Sequence, residues 1–235
     1  MPKSPQIRIA DPARRNFLRK SFAGMGWVVA GSALSRCTSG GTGAATTSNI
    51  ANLGPLLDPD ENGLRLPEGF TSRIVARSGQ MVGDTGYVWH NAPDGAAVFT
   101  TDDGGYIYVS NSETVAGLGG GASALRFSAD GNIVDAYRIL EGTNINCAGG
   151  STPWGTWLSC EETLIGRVYE CDPLGNTQAL VRPEMGVFQH EAVAIDEANR
   201  HAYMTEDLPD GRFYRCLLYT SPSPRDLLSH LVCRL

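Results

Sequence analysis

Three stretches of this chain repeat one pattern: a polar pair with alanine, a loop, then a strand-like run that ends in acid. The starts are His90-Asn91-Ala92, Asn146-Cys147-Ala148 and His190-Glu191-Ala192. The ends are Val109-Ser110-Asn111-Ser112-Glu113, Leu158-Ser159-Cys160-Glu161-Glu162 and Met204-Thr205-Glu206-Asp207. Val109, Leu158 and Met204 stand 49 and 46 residues apart. A period of roughly 40–50 residues with about four strands per unit is the mark of a β-propeller. Such a unit cannot bury both faces alone, so successive units must stack on one another.

Local signals agree with strands. Glycine is 28 of 235 residues, which favours many turns over long helices. Ser128-Ala129-Asp130-Gly131-Asn132 and Asp172-Pro173-Leu174-Gly175-Asn176 read as hairpin turns between alternating apolar runs. Tyr106 to Val109, Trp157-Leu158 and Ala202 to Met204 read as short strands, and no window past residue 34 carries a sustained 3.6-residue apolar stripe. The expectation is an all-β domain over 53–215, a partial β-propeller of roughly three to four blades, each of four antiparallel strands. Closed propellers take about four to eight blades, so this would be an open arc.

Charge narrows the function. Residues 38–215 hold ten Arg, no Lys and 23 Asp/Glu, a formal charge of −13. Such a body repels phosphate backbones, which excludes nucleic-acid binding. The repeat also gathers its acids. It places Asn91, Cys147 and Glu191 at one recurring position, and Glu113, Glu161/Glu162 and Glu206/Asp207 at another. Strand ends in equivalent blades face a common axis, so carboxylates would converge there. Uncompensated, they would repel and resist desolvation, and a multivalent cation removes that cost. Oxygen donors suit a hard ion such as calcium, and one thiolate adds affinity for a transition metal. Strand alternation allows only one of Glu161 and Glu162 to point inward.

The two ends read differently from the body. Arg14-Arg15-Asn16-Phe17-Leu18-Arg19-Lys20 has the twin-arginine form and precedes an apolar run from Ser21 to Leu34. That run would span about 21 Å as a helix, short of a bilayer core of roughly 30 Å. Residues 1–37 therefore read as a signal for the twin-arginine export machinery, giving a periplasmic or secreted protein with no spanning segment once mature. Cys37 is either a lipid-anchor site or incidental to plain cleavage near Ser35. Residues 38–52 are rich in Gly, Thr, Ser and Ala and read as a flexible linker. From Cys216 to Leu235 the chain resembles the translation of a transposase sequencing adapter, so no packing against the body is expected of it.

One long motif has a known likeness. Asn146-Cys147-Ala148-Gly149-Gly150-Ser151-Thr152-Pro153-Trp154-Gly155-Thr156-Trp157-Leu158-Ser159-Cys160-Glu161-Glu162 resembles the signature of the PhoX family of alkaline phosphatases. Gly186 to Ala192 and Tyr203 to Tyr214 resemble later motifs of that family, and the likeness covers roughly residues 60–215. It implies a β-propeller carrying an iron–calcium cluster that hydrolyses phosphate monoesters. By the same likeness Cys147 matches an iron-binding thiolate, Glu161 or Glu162 a carboxylate ligand, and Glu191 the acid of a His-Glu motif. Glu206 and Asp207 match further ligands, of calcium. Asn111-Ser112-Glu113 is similar to an Asn-His-Glu motif with Ser112 in place of histidine, and Asn91 matches loosely.

Several residues carry two readings. The rival function is a non-catalytic, calcium-stabilised propeller that binds a ligand or partner protein, because the fold alone does not choose. His90 and His190 read as hydrogen-bonded supports of the ligands. Cys160 and Cys171 lie on neighbouring strands and either pack or form a disulfide. Trp154 and Trp157 read as packing between blades, Gly117 to Gly121 as a flexible loop, and Arg182 and Arg212 as partners of surface acids.

Overall fold

The computed structural model describes residues 53–218. The signal-like segment 1–37, the linker 38–52 and residues 219–235 lie outside the described residues. Eleven strands run in chain order: β1 (Pro93–Thr100), β2 (Tyr106–Ser112), β3 (Gly121–Phe127), β4 (Ile133–Glu141), β5 (Asn146–Ser151), β6 (Trp157–Glu161), β7 (Val168–Cys171), β8 (Leu180–Val181), β9 (His190–Asp196), β10 (His201–Glu206) and β11 (Phe213–Leu217). They form three antiparallel sheets of neighbouring strands, β1-β2-β3-β4, β5-β6-β7-β8 and β9-β10-β11. The all-β expectation holds. The third sheet has three strands among the described residues, not the expected four. No helix of the described residues is long and apolar enough to cross a membrane.

Period-2 alternation explains how the sheets stack. On β2, Ile107 and Val109 face the second sheet, where Trp157 and Cys171 meet them. Tyr106 and Tyr108 face the other way, joining Leu125 and Phe127 against Val82 and Trp89 of the chain before β1. On β6, Trp157 turns toward the first sheet, while Leu158 and Cys160 turn toward Val193, Ala202 and Met204 of the third. Every residue of β6 is therefore buried, the signature of a strand covered on both faces. Cys160 and Cys171 are free thiols. They occupy opposite faces of one sheet, in different core clusters, so the disulfide alternative falls.

The first strands β1, β5 and β9 run side by side. Their approach is close enough to demand glycine: a methyl added at Gly150 would lie 1.9 Å from the Val193 carbonyl oxygen.

Two expectations need correction. The boundary after Arg215 cuts through β11, in which Cys216 pairs with Ala202 and Leu217 with His201. Cys216 is fully buried in the core between the second and third sheets, and the Leu218 N–H donates to the Arg200 carbonyl at 2.8 Å. A small apolar side chain that continues the strand's alternation packs there whatever the origin of its codons. The 117–121 loop is also tighter than its composition suggests. A short helical turn spans Ala116–Leu118, and a methyl at Gly120 would lie 2.1 Å from the Thr143 carbonyl oxygen.

Candidate metal centre

The site is built by one register that recurs in all three sheets. Pro93 pairs with Ser112, Asn146 with Glu161, and His190 with Glu206. Next to each pair the ladder slips: between Pro93 and Ala96, between Asn146 and Gly149, and between Met204 and Glu206. A bulge of this kind bends the strand and re-aims the side chain beside it. The re-aimed residues on the first strands are Asp94, Cys147 and Glu191. Their counterparts just past the second strands are Glu113, Glu162 and Asp207.

These positions meet. The ligand atoms of Asp94, Glu113 and Cys147 lie within 4.8 Å of one another, and those of Cys147, Glu162 and Glu191 do the same. Cys147 belongs to both groups, its Sγ 3.6 Å from Glu191 Oε1. Glu162 accepts a 3.2 Å bond from Gln189 Nε2 and is hydrogen-bonded to Asp207. Burial first, then the Glu191 charge, pushes the Cys147 thiol well above its usual range. Burial and Asp94 raise Glu113. Burial and Asp207 raise Glu162. All three groups thus resist ionising beside their neighbours, which is the electrostatic condition that a bound cation relieves.

Backbone strain sits at the same spot. Ala92 and Ile145 hold positive φ values of 42° and 48°, uncommon for alanine and a genuine outlier for a β-branched residue. Their carbonyls accept the N–H groups of Glu113 and Glu162 at 2.9 and 2.8 Å, so the strained residues hold two of the clustered acids.

The other expected residues go elsewhere. Glu161 is buried, and its oxygens accept the Asn144 N–H at 2.8 Å and the Arg167 N–H at 3.2 Å. Glu206 repeats this arrangement: it accepts the Arg212 N–H at 3.0 Å and the Tyr214 hydroxyl at 3.2 Å. Each closes a hairpin whose glycine, Gly166 or Gly211, would collide with the glutamate's carbonyl oxygen if it bore a methyl, at 2.0 and 2.2 Å. So the first acid of each pair braces a hairpin and the second enters the cluster. Asn91 is exposed, with its carbonyl accepting the Ser112 hydroxyl at 2.8 Å; Asp94, three residues on, occupies the clustered position. Asp94, Cys147 and Glu191 each stand one residue past the start of their strand, so the strand start and not the alanine marks the recurring position.

Among the described residues, neither histidine ring is hydrogen-bonded to a clustered residue. His90 Nε2 faces the Ser110 hydroxyl at 3.4 Å and its ring stacks on Trp89. His190 Nε2 faces the Gly186 carbonyl at 3.4 Å and its ring stacks on Phe188. The Nδ1 atoms of both are buried with no hydrogen-bond partner among the described residues. Trp157 packs between sheets as expected, whereas Trp154 is 53% exposed and donates to Glu170 at 2.7 Å. Arg182 pairs with Glu170, and Arg212 lies 3.9 Å from Glu206.

A family model described as alkaline phosphatase PhoX matches residues 107–226. The chain belongs to that family. Searches among curated proteins and solved structures returned no match. The PhoX match begins in β2 and spans five of the six clustered positions, with Asp94 lying ahead of it.

In this PhoX-family chain the paired acids can be told apart by mutation. Glu161→Gln leaves one oxygen for two backbone donors, and the buried mismatch should cost about 1–3 kcal/mol, read as a lower denaturant midpoint. Glu162→Gln removes a carboxyl that faces Asp207, so the metal-free protein should be as stable or more stable while cation uptake falls. The reverse order of stabilities would reject this division of roles.

Proposed function

We propose that this chain is an exported, metal-dependent phosphomonoesterase whose iron and calcium ions are held by Cys147, Asp94, Glu113, Glu162, Glu191 and Asp207. In this reading the three stacked sheets are blades of a β-propeller, and the cluster lies at one mouth of its axis. The observation that carries it is the sharing of Cys147 by two groups of carboxylates. That donor set, oxygen-rich with one thiolate, fits hard ions beside a transition metal.

Bound cations would polarise the phosphoryl oxygens and offset charge on the leaving alkoxide. The chain supplies little positive charge of its own. Residues 38–215 contain no lysine, and Arg182 and Arg212 are engaged by Glu170 and Glu206. Cys147, whose thiol burial and Glu191 hold neutral, must give up its proton to become a ligand, so loading should release a proton and weaken in acid. The bulges and the braced hairpins keep the six donors in place before any ion arrives. Export through the twin-arginine route, to the periplasm or beyond, rests on the sequence of residues 14–34 and would deliver the protein already folded.

Metal analysis together with a phosphomonoester assay tests the reading. Iron and calcium in the purified chain, with hydrolysis of p-nitrophenyl phosphate that a chelator removes, are expected. Calcium alone with no hydrolysis would favour the ligand-binding propeller instead.

A further inference from the structure

Asn111 lies in β2, two residues before Glu113, and is fully buried. Its side chain makes four hydrogen bonds, the full capacity of an amide used one bond per proton and two at the oxygen. Nδ2 donates to the Cys147 carbonyl at 2.9 Å and to the Ala148 carbonyl at 2.7 Å. Oδ1 accepts from Trp157 Nε1 at 2.9 Å and from the Ser159 hydroxyl at 2.8 Å. The orientation of the amide follows from its partners: an indole N–H only donates and a backbone carbonyl only accepts.

The two carbonyls are those of the bulge in β5, where the ladder slips between Asn146 and Gly149. Gripping consecutive carbonyls fixes the peptide between Cys147 and Ala148, and with it the direction of the Cys147 Cα–Cβ bond. The equivalent position at the next junction, beside the Glu191 bulge, is Cys160, which has no amide to offer. The grip therefore occurs where the donor is a thiol. A carboxylate can swivel to present either oxygen, while a thiol has a single atom to place.

We propose that Asn111 is the positioning residue that aims the Cys147 thiol into both groups of carboxylates, an inference that rests on the metal-centre reading above. It reaches across from the first sheet, so it also ties Glu113 and Cys147, members of one group, to a common support.

The full chain titrated with Co²⁺ tests this, because thiolate-to-cobalt absorption reports the Cys147–metal bond. The wild type should show that band and Cys147→Ser should lose it. Asn111→Asp keeps an acceptor for Trp157 and Ser159 but sets its second oxygen against two carbonyls. It should lower cobalt affinity about 10- to 100-fold, as loss of a ligand's support does, and weaken or shift the band. Trp157→Phe removes a donor from the far side of the same amide and should leave band and affinity in place. A folded Asn111→Asp with wild-type band and affinity overturns the proposal, as does Trp157→Phe altering the band equally. If Asn111→Asp does not fold, Asn111→Ser is read by the same two criteria. A wild type without the band defeats the metal-centre reading itself, a distinct failure.

Discussion

Cys147→Ser is expected to lower iron uptake and phosphatase activity by more than about 100-fold while the fold survives. Loss of a residue that merely supports a ligand already costs about 10- to 100-fold, and Cys147 stands in both donor groups. A serine hydroxyl stays protonated where a thiol can ionise, so neither group would keep its shared anion. The metal-free protein should notice little. Burial and Glu191 hold the Cys147 thiol in its neutral form, and serine is neutral and of similar size. The change in unfolding free energy should stay within about 1 kcal/mol at this half-buried position. Iron content by elemental analysis, hydrolysis rate and a denaturant curve check the three parts. Full activity in the serine variant would remove Cys147 from the mechanism.

The second large effect is a dependence of stability on pH that a cation should reshape. Burial holds His90 and His190 at pKa values of about 4, below the ordinary 6.5. The unfolded chain therefore binds more protons than the folded one between these values, and stability is lost as pH falls from about 6.5 toward 4. Each histidine accounts for at most about 3–4 kcal/mol, against a total stability of about 5–15 kcal/mol for a domain. Acid unfolding near the lower value is the expected result. Glu113 and Glu162 act with the opposite sign. Their folded pKa values are raised, so their contribution is present below the usual carboxylate range and is lost as pH rises from that range through the raised folded values. A cation that prefers the ionised carboxylates cancels this loss. The gap between metal-loaded and chelated protein should widen as pH rises above the usual carboxylate range, reaching about 2.7 kcal/mol when the free ion is about 100 times its Kd. Thermal melting across that range, with and without chelator, measures it. A gap that narrows with rising pH would contradict the clustering of these acids.

The motif residues divide sharply between those legible in sequence and those not. The interval between acidic strand ends predicted repeated antiparallel units, and the structure has them as sheets whose second strands are β2, β6 and β10. Cys147, Glu191, Glu113, Glu162 and Asp207 are legible from their places in that repeat. Asp94 is not legible from the motif, because the bulge after Pro93 shifts the first strand relative to it. The role of Asn111 is not legible in the sequence, since its four partners lie between 36 and 48 residues away.

Composition and periodicity by themselves determined the all-β class, the acidic character of the body, and which residue types stand at the strand ends. These follow from residue types and their spacing along one chain, which is information local to the sequence. Tertiary structure alone decided which acid of each pair faces the cluster. Alternation says that Glu161 and Glu162 point opposite ways, but the phase is set by cross-strand register and by the bulge opposite. Glu161 and Glu206 turn to backbone N–H groups because the hairpins beyond them close through Gly166 and Gly211. His90 and His190 pack on aromatic rings instead of clustered acids for the same reason: a side chain's partner depends on which strand lies next to it, and that is settled only when the sheets stack.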